Sequence, residues 1–275
     1  MNSSNNKRKY HRVLSIAGSD SGGGAGIQAD LKTMSAIGCY GMSVITALTA
    51  QNTRGVTGIH AVPPSFVAEQ IAAVFSDIGA DAVKIGMLYS AQLIEVIAEQ
   101  QKKYGAEKII LDPVMVAQSG DKLLEDDAIQ AIKEYLMPLV DVVTPNIPEA
   151  EVLIDRSIVG LKDMQTAAKA LAEYGSRSVL IKGGHLKDND STDLLYLTGE
   201  DRFVRLDAKR IASNNNHGTG CTLSSAIAGY MARGYDIEGA VRKAKTYIQN
   251  AIRAGADYTI GHGNGPVHHF FEFWE

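Results

Sequence analysis

Apolar runs of strand length alternate with segments of helical period along nearly the whole chain. Arg12–Ala17 is an apolar run that stops at the turn-rich stretch Gly18-Ser-Asp-Ser-Gly-Gly-Gly24. Behind it, Ile27, Leu31, Met34 and Ile37 recur at spacings of four and three, which predicts a helix over Ala25–Ile37. Gly41–Thr49 follows as a strand, and Ser65 stands at an N-cap position before Val67, Ile71, Val74 and Ile78. Ala82–Met87 reads as strand, Ala91–Lys103 as helix, and Lys108–Leu111 as a strand ending at Asp112-Pro113. A helix from about Asp126 to Leu136 leads to the strand Val140–Thr144, which also ends at a proline.

The second half repeats the alternation with the helix Asp163–Tyr174, the strand Ser178–Lys182 and the turn Gly183-Gly184. Leu194–Leu197 and Phe203–Leu206 flank Thr198-Gly-Glu-Asp201, a hairpin signal. Two long helices close the chain, Cys221–Arg233 and Ile237–Ala254. This order predicts an α/β fold with a mostly parallel central sheet covered on both faces, and antiparallel strands at one edge. No linker, repeat or composition shift divides it, so residues 12–275 are expected to form a single domain behind a disordered polar tail, residues 1–11. Ligands of such sheets bind outside the carboxyl ends of the strands. There the chain places Gly18–Asp30, Gln51-Asn52, Gly86-Met87, Asp112-Pro113, Asn146–Glu149, Lys182-Gly-Gly184 and Asn214–Cys221, which together describe one cleft.

Composition narrows the classes. Of 275 residues 45% are hydrophobic and 21% charged, an ordinary globular balance that excludes disorder and low complexity. A net charge of −4 gives no reason to expect nucleic acid or a membrane surface as partner. The two cysteines, Cys39 and Cys221, make no metal-ligand spacing and no disulfide framework, so a reducing, cytoplasmic setting is expected. No apolar stretch reaches the roughly 18 residues of a spanning helix.

The first glycine cluster has more than one reading. Gly24-Ala-Gly26-Ile-Gln-Ala29 fits a dinucleotide fingerprint, yet Val44–Gln51 offers no acid to hold ribose hydroxyls. It also fits a turn with no ligand, or a neutral ligand bearing amino or hydroxyl groups, for which Asp20 and Asp30 are suited. The second cluster, Asn216-His-Gly-Thr-Gly220, opens a helix, and helix N-terminal amides form anion sites. Cys221 at that end is expected to have a lowered pKa. Lys182 ends a strand and is either a phosphate ligand or a lysine snorkelling at the sheet rim. Asp112, Asn146 and Glu149 bring oxygen ligands to strand ends, as Mg²⁺ prefers, although Glu149 also suits the first turn of a helix. His262, His268 and His269 near the C-terminus read as surface or packing residues, and the aromatic ending Phe270–Trp274 as a docking segment.

Assembled in order, these blocks resemble the hydroxymethylpyrimidine/phosphomethylpyrimidine kinases, a branch of the ribokinase-like superfamily. The carriers are Ile16–Asp20, Gly23–Lys32, Val44–Asn52, Lys84–Met87, Leu111–Met115, Thr144–Asn146 with Glu149, Ile181–His185, His217–Ser225 and Gly261–Phe270. The resemblance implies a three-layer sandwich, a homodimer, and two successive ATP-dependent phosphorylations of an aminopyrimidine, with Mg²⁺. It places the pyrimidine among Gly18, Ala25, Asp30, Gln51, Met87 and Val114, with Gln51 and Asp30 reading the ring's polar edge. It makes the backbone of Gly218, Thr219 and Gly220 the anion hole, Cys221 the base, Lys182, Asn146 and Gly220 contacts to ATP, and Asp112 and Glu149 the organisers of the metal. Pyridoxal-using relatives tend to carry an apolar residue where this chain has Gln51. One block departs from the family pattern: before His217 the chain reads Ala212-Ser-Asn-Asn-Asn216. Three competing readings are a pyridoxal kinase, an NAD-dependent oxidoreductase, and a non-catalytic binding module. A mobile flap over Gly183–Ser191 is also expected.

Overall fold

Strand side chains alternate between two buried faces, and that alternation builds the molecule. In β1 (Arg12–Asp20), Leu14 and Ile16 join one apolar cluster while Val13 joins another on the opposite face. The same period of two runs through β5 (Ile109–Leu111), β7 (Ser178–Ile181) and β8 (Asp193–Leu197). The structure is a computed structural model and describes residues 8–115, 126–184 and 191–274.

Nine strands form one sheet in the order β3-β2-β1-β4-β5-β6-β7-β8-β9. The remaining strands are β2 (Tyr40–Asn52), β3 (Gly55–Ala61), β4 (Ala82–Ile85), β6 (Val142–Val143) and β9 (Arg202–Leu206). β2, β1, β4, β5, β6 and β7 run parallel. The expected hairpin, β8 with β9, continues the sheet antiparallel at one edge. The other edge is antiparallel as well, because β2 turns back into β3. β3 escaped the sequence reading because Gly-Val-Thr-Gly-Ile-His-Ala carries no alternating apolar face and lies largely exposed.

One face is covered by α2 (Pro64–Asp77), α3 (Ala91–Tyr104), α4 (Asp126–Ala131), α5 (Ile147–Ile154) and α6 (Leu161–Ala172). The other is covered by α1 (Gly26–Ala36), α7 (Thr219–Ala232) and α8 (Ile237–Gly255). Two local expectations change. Pro63, not Ser65, caps α2, and Pro64 at the first helical position supplies the preset φ. The helix expected to run to Leu136 leaves the α form after Ala131 and continues as a π turn over Ile132–Leu136. Residues 1–7 of the expected tail lie outside the described residues, and His11 already pairs with the sheet through its carbonyl to the Tyr40 N–H at 2.9 Å.

Chain reversal falls at β1, with β2 on one side of it and β4 on the other, so a crevice opens at the carboxyl ends of these strands. Beneath it lies Lys84, a fully buried lysine in an otherwise apolar strand. Its Nζ stands 2.8 and 3.0 Å from the two Asp30 oxygens. Asp30 also accepts the hydroxyls of Ser15 at 2.6 Å and Ser225 at 2.7 Å. One carboxylate thus joins β1, β4, α1 and α7. Removing one partner of a buried pair strands the other, so Lys84→Met should cost about 3–5 kcal/mol in urea unfolding. The double variant Lys84→Met/Asp30→Leu should recover more than half of that loss.

Candidate active site

A cavity of about 730 Å³ occupies the crevice. At one end it is lined by Gly18, Ala25, Gln51, Met87 and Val114, five of the six residues expected around an aminopyrimidine. Asp30, the sixth, is not there. It is fully buried and spends its oxygens on Lys84, Ser15 and Ser225, so it reads no ligand edge.

The centre of the cavity is built on the start of α7. Gly218 caps that helix at φ 79°, and a Cβ on it would lie 1.9 Å from the Gly24 carbonyl oxygen. Only glycine lets the two glycine loops touch here. The Thr219 N–H makes a long 3.4 Å bond to Asn216 O, whereas Gly220 and Cys221, in the first turn, have no intrahelical acceptor. A side-chain carbon on Gly220 would stand 3.3 Å from Lys182 Nζ and 3.4 Å from Asp112 Oδ2. The amides therefore open beside the lysine and the aspartate.

Lys182 follows β7, and its Nζ lies 2.8 Å from Asp112 Oδ1 and 3.9 Å from Glu149 Oε2. Asp112, just past β5, also accepts Thr144 Oγ1 at 3.2 Å and Ser224 Oγ at 3.4 Å. Asn146 and Glu149 form a capping box on α5, each side chain accepting the other's N–H at 2.9 and 2.8 Å. Their placement thus has a purely local cause, and it delivers both to the cavity wall.

Electrostatics follow from burial and proximity. Burial raises the Asp112 pKa, but Lys182, Lys84 and its hydrogen bonds outweigh that and hold it low. Burial would lower the Lys182 pKa, yet Asp112 and Glu149 push it up to about 12. Glu149 goes the other way: burial raises it to about 7, against the pull of Lys182. Two carboxyls face one ammonium, so one negative charge is in excess when both ionise. That donor set fits Mg²⁺, which binds through one or two carboxylates and keeps water and phosphate oxygens. It is not an all-protein cage: no cluster of three metal-ligating side chains occurs among the described residues.

Cys221 corrects an expectation. Burial pushes its thiol up to about 11, although Lys84 and the Gly26 N–H pull it down. Desolvation outweighs both.

Sequence reading gave no separate role to several groups that the fold brings to the cavity. His217 Nε2 is 3.1 Å from Asp20 Oδ2 and 3.3 Å from the Gln51 amide. Lys245 holds Asp193 at 2.6 Å, and Asp193 accepts the Gly183 N–H at 2.9 Å next to Lys182. Lys84 had one legible signal, a lone charge inside an apolar strand. The Asp193–Lys245 pair had none, because its partners lie far apart in sequence. Of the expected flap, residues 185–190, including His185, lie outside the described residues. Among the C-terminal histidines His269 is a packing residue, buried against Thr222 Oγ1 at 3.0 Å, and burial lowers its pKa to about 3.

A family model described as phosphomethylpyrimidine kinase matches residues 20–268. The chain belongs to the phosphomethylpyrimidine kinase family. It is a phosphotransferase of thiamine biosynthesis. A hydroxymethylpyrimidine/phosphomethylpyrimidine kinase of Rhizobium meliloti is 53% identical over 264 residues, covering 96% of this chain and 98% of that one. A thiamine biosynthesis bifunctional protein of Geobacter sulfurreducens is 54% identical over 257 residues, 94% of this chain. The chain spans about half, 52%, of that longer relative. Among solved structures, a phosphomethylpyrimidine kinase from Clostridium difficile is 46% identical with a TM-score of 0.77, over 88% of this chain and 99% of that one. A pyridoxal kinase from Staphylococcus aureus, in complex with AMP-PCP and pyridoxal, is 33% identical with a TM-score of 0.88, over 97% of this chain and 96% of that one. The three-layer ribokinase-like fold is thereby shared.

Glu149 gives the family site a pH signature. Its folded-state pKa is about 7 against 4.5 when free, so the folded protein keeps a proton that the unfolded chain releases. Its contribution to stability is full below about pH 4.5, falls as pH rises, and is lost above about pH 7. Thermal unfolding of Glu149→Gln should therefore depend less on pH across this window. Added Mg²⁺ at pH 8 should raise the wild-type Tm more than that of the variant.

Proposed function

We propose that this family member phosphorylates 4-amino-5-hydroxymethyl-2-methylpyrimidine with ATP, and then phosphorylates the monophosphate to the diphosphate. The observation that carries the reading is the convergence of Lys182, the start of α7 and the Asp112/Glu149 pair on one cavity that Gln51 also lines. The kinase works as a single domain, residues 12–275, in a cytoplasmic homodimer.

In the first transfer the hydroxymethyl oxygen attacks the γ-phosphorus, its new O–P bond forming as the bond to the ADP oxygen breaks. Catalysis of this kind is mostly positioning and charge stabilisation. Lys182 meets the phosphate charge, with Asp193 and Lys245 holding the adjoining Gly183. The amides of Gly218, Gly220 and Cys221, at the positive end of α7, stabilise the transferring group. Thr219 is the weaker donor of the hole, since its N–H is already shared with Asn216. Asn146 borders the nucleotide. Asp112 and Glu149 would hold Mg²⁺, which would supply positive charge against the phosphate oxygens. Cys221 takes the hydroxyl proton as its minority thiolate. In the second transfer the attacking group is an anionic phosphate, which has no proton to lose.

The backbone likeness to pyridoxal kinases, at a TM-score of 0.88, supports a second reading as a pyridoxal kinase. Gln51 favours the pyrimidine, because an amide can both donate to and accept from an aminopyrimidine edge. ATP consumption by purified protein with hydroxymethylpyrimidine, its monophosphate and pyridoxal separates the two. Turnover on both pyrimidines and little on pyridoxal is expected; turnover on pyridoxal alone would overturn the assignment.

Because the Cys221 thiol lies near 11, the first-step kcat should climb with pH from neutrality toward that value. Cys221→Ser should flatten the climb and lower kcat about tenfold or more. The second step should show neither effect.

A further inference from the structure

A carboxylate and an amide meet at one ring nitrogen. His217 Nε2 stands 3.1 Å from Asp20 Oδ2 and 3.3 Å from the Gln51 amide atom assigned as Nε2. The amide atom assigned as Oε1 is 3.0 Å from Thr49 Oγ1. Asp20 also accepts the N–H groups of Gly22 at 2.7 Å, Gly24 at 3.0 Å and Ala25 at 2.8 Å. Burial raises its pKa, but the His217 contact and the backbone donors outweigh this and keep it ionised. Gly24 packs so closely on the imidazole that a Cβ there would lie 2.3 Å from His217 Cδ2.

A carboxylate only accepts hydrogen bonds. His217 Nε2 therefore carries a hydrogen, in the neutral ring and in the imidazolium alike, since otherwise two lone pairs would face each other. With an N–H at that point, the end of Gln51 facing it has to be the carbonyl oxygen. Two N–H donors would otherwise confront one another. The amino end then turns to Thr49 Oγ1, whose own hydrogen goes to Ser19 O at 2.9 Å. The two amide orientations have nearly the same shape, and the proton inventory alone selects between them. The bond from His217 to the carboxylate is the stronger, charge-assisted one, so it dictates the rest.

We propose that the Asp20–His217 pair positions the specificity residue. By orienting the Gln51 amide, it fixes the order of donor and acceptor that the pocket offers to a ring edge with an amino group beside a ring nitrogen. A reversed amide would set donor against donor and acceptor against acceptor, a mismatch that leaves buried polar groups unpaired. This inference rests on the assignment of the Gln51 pocket to the aminopyrimidine.

Two measurements test it. In ligand-free protein, ¹⁵N NMR of the His217 ring should show Nε2 protonated; a ring with hydrogen on Nδ1 alone overturns the proposal, whatever the enzyme phosphorylates. Steady-state kinetics of His217→Leu should raise KM for hydroxymethylpyrimidine about tenfold while KM for ATP stays within about twofold. His217→Gln, which returns an N–H donor, should recover at least half of the loss on a logarithmic scale. Equal changes in both KM values, or no rescue by glutamine, would mean that His217 only shapes the adjoining anion hole. Failure of the wild type to phosphorylate either pyrimidine would refute the substrate assignment and leave the tautomer measurement standing.

Discussion

A single carboxylate under the sheet's carboxyl edge ties the two helices that open the active site to the strands beneath them. Asp30 binds both a wholly buried ammonium from β4 and hydroxyls from β1 and α7. A charge buried this deeply tolerates no slack, because an unpaired ion in the interior is far costlier than a misplaced apolar group. The pair therefore sets the spacing of α1 and α7 over the sheet. Ser225 is four residues beyond Cys221, on the same face of α7, so the anchor lies one turn below the thiol. From that anchor the N-termini of both helices are aimed at the same volume: the Gly26 N–H reaches the Cys221 sulfur, and the α7 amides open beside Lys182.

Above the anchor, charge is left deliberately out of balance. Lys84 is neutralised by Asp30, but Lys182 faces both Asp112 and Glu149. Burial raises the Glu149 pKa to about 7 against the pull of Lys182, and the Asp112 charge adds to the rise. The Cys221 thiol is governed by burial too: an ammonium and one N–H donor do not ionise a group whose desolvation is larger.

The strand ends, the glycine clusters and the meeting of Lys182, Asp112 and Glu149 at one cleft were readable because each sits next to a local signal, a turn or a change of period. Asn146 and Glu149 are an extreme case, since a capping box is a purely local motif. Asp30 was misjudged for the opposite reason. Its neighbours Ala25 and Gly26 line the cavity, but as part of α1 its side chain turns to the sheet, where Lys84 and Ser225 are found. β3 was missed because an exposed edge strand carries no hydrophobic alternation.

The sequence by itself determined the layered fold and the list of chemical groups, because burial periodicity and turn chemistry act over a few residues. Only the tertiary structure decided which charges meet, which carboxyl is spent inside the core, and where the thiol's pKa lies. Those outcomes depend on distances between residues as much as 197 apart in the chain, as His217 and Asp20 are. Electrostatic energies change steeply with such distances and with burial, and neither quantity exists until the sheet has assembled.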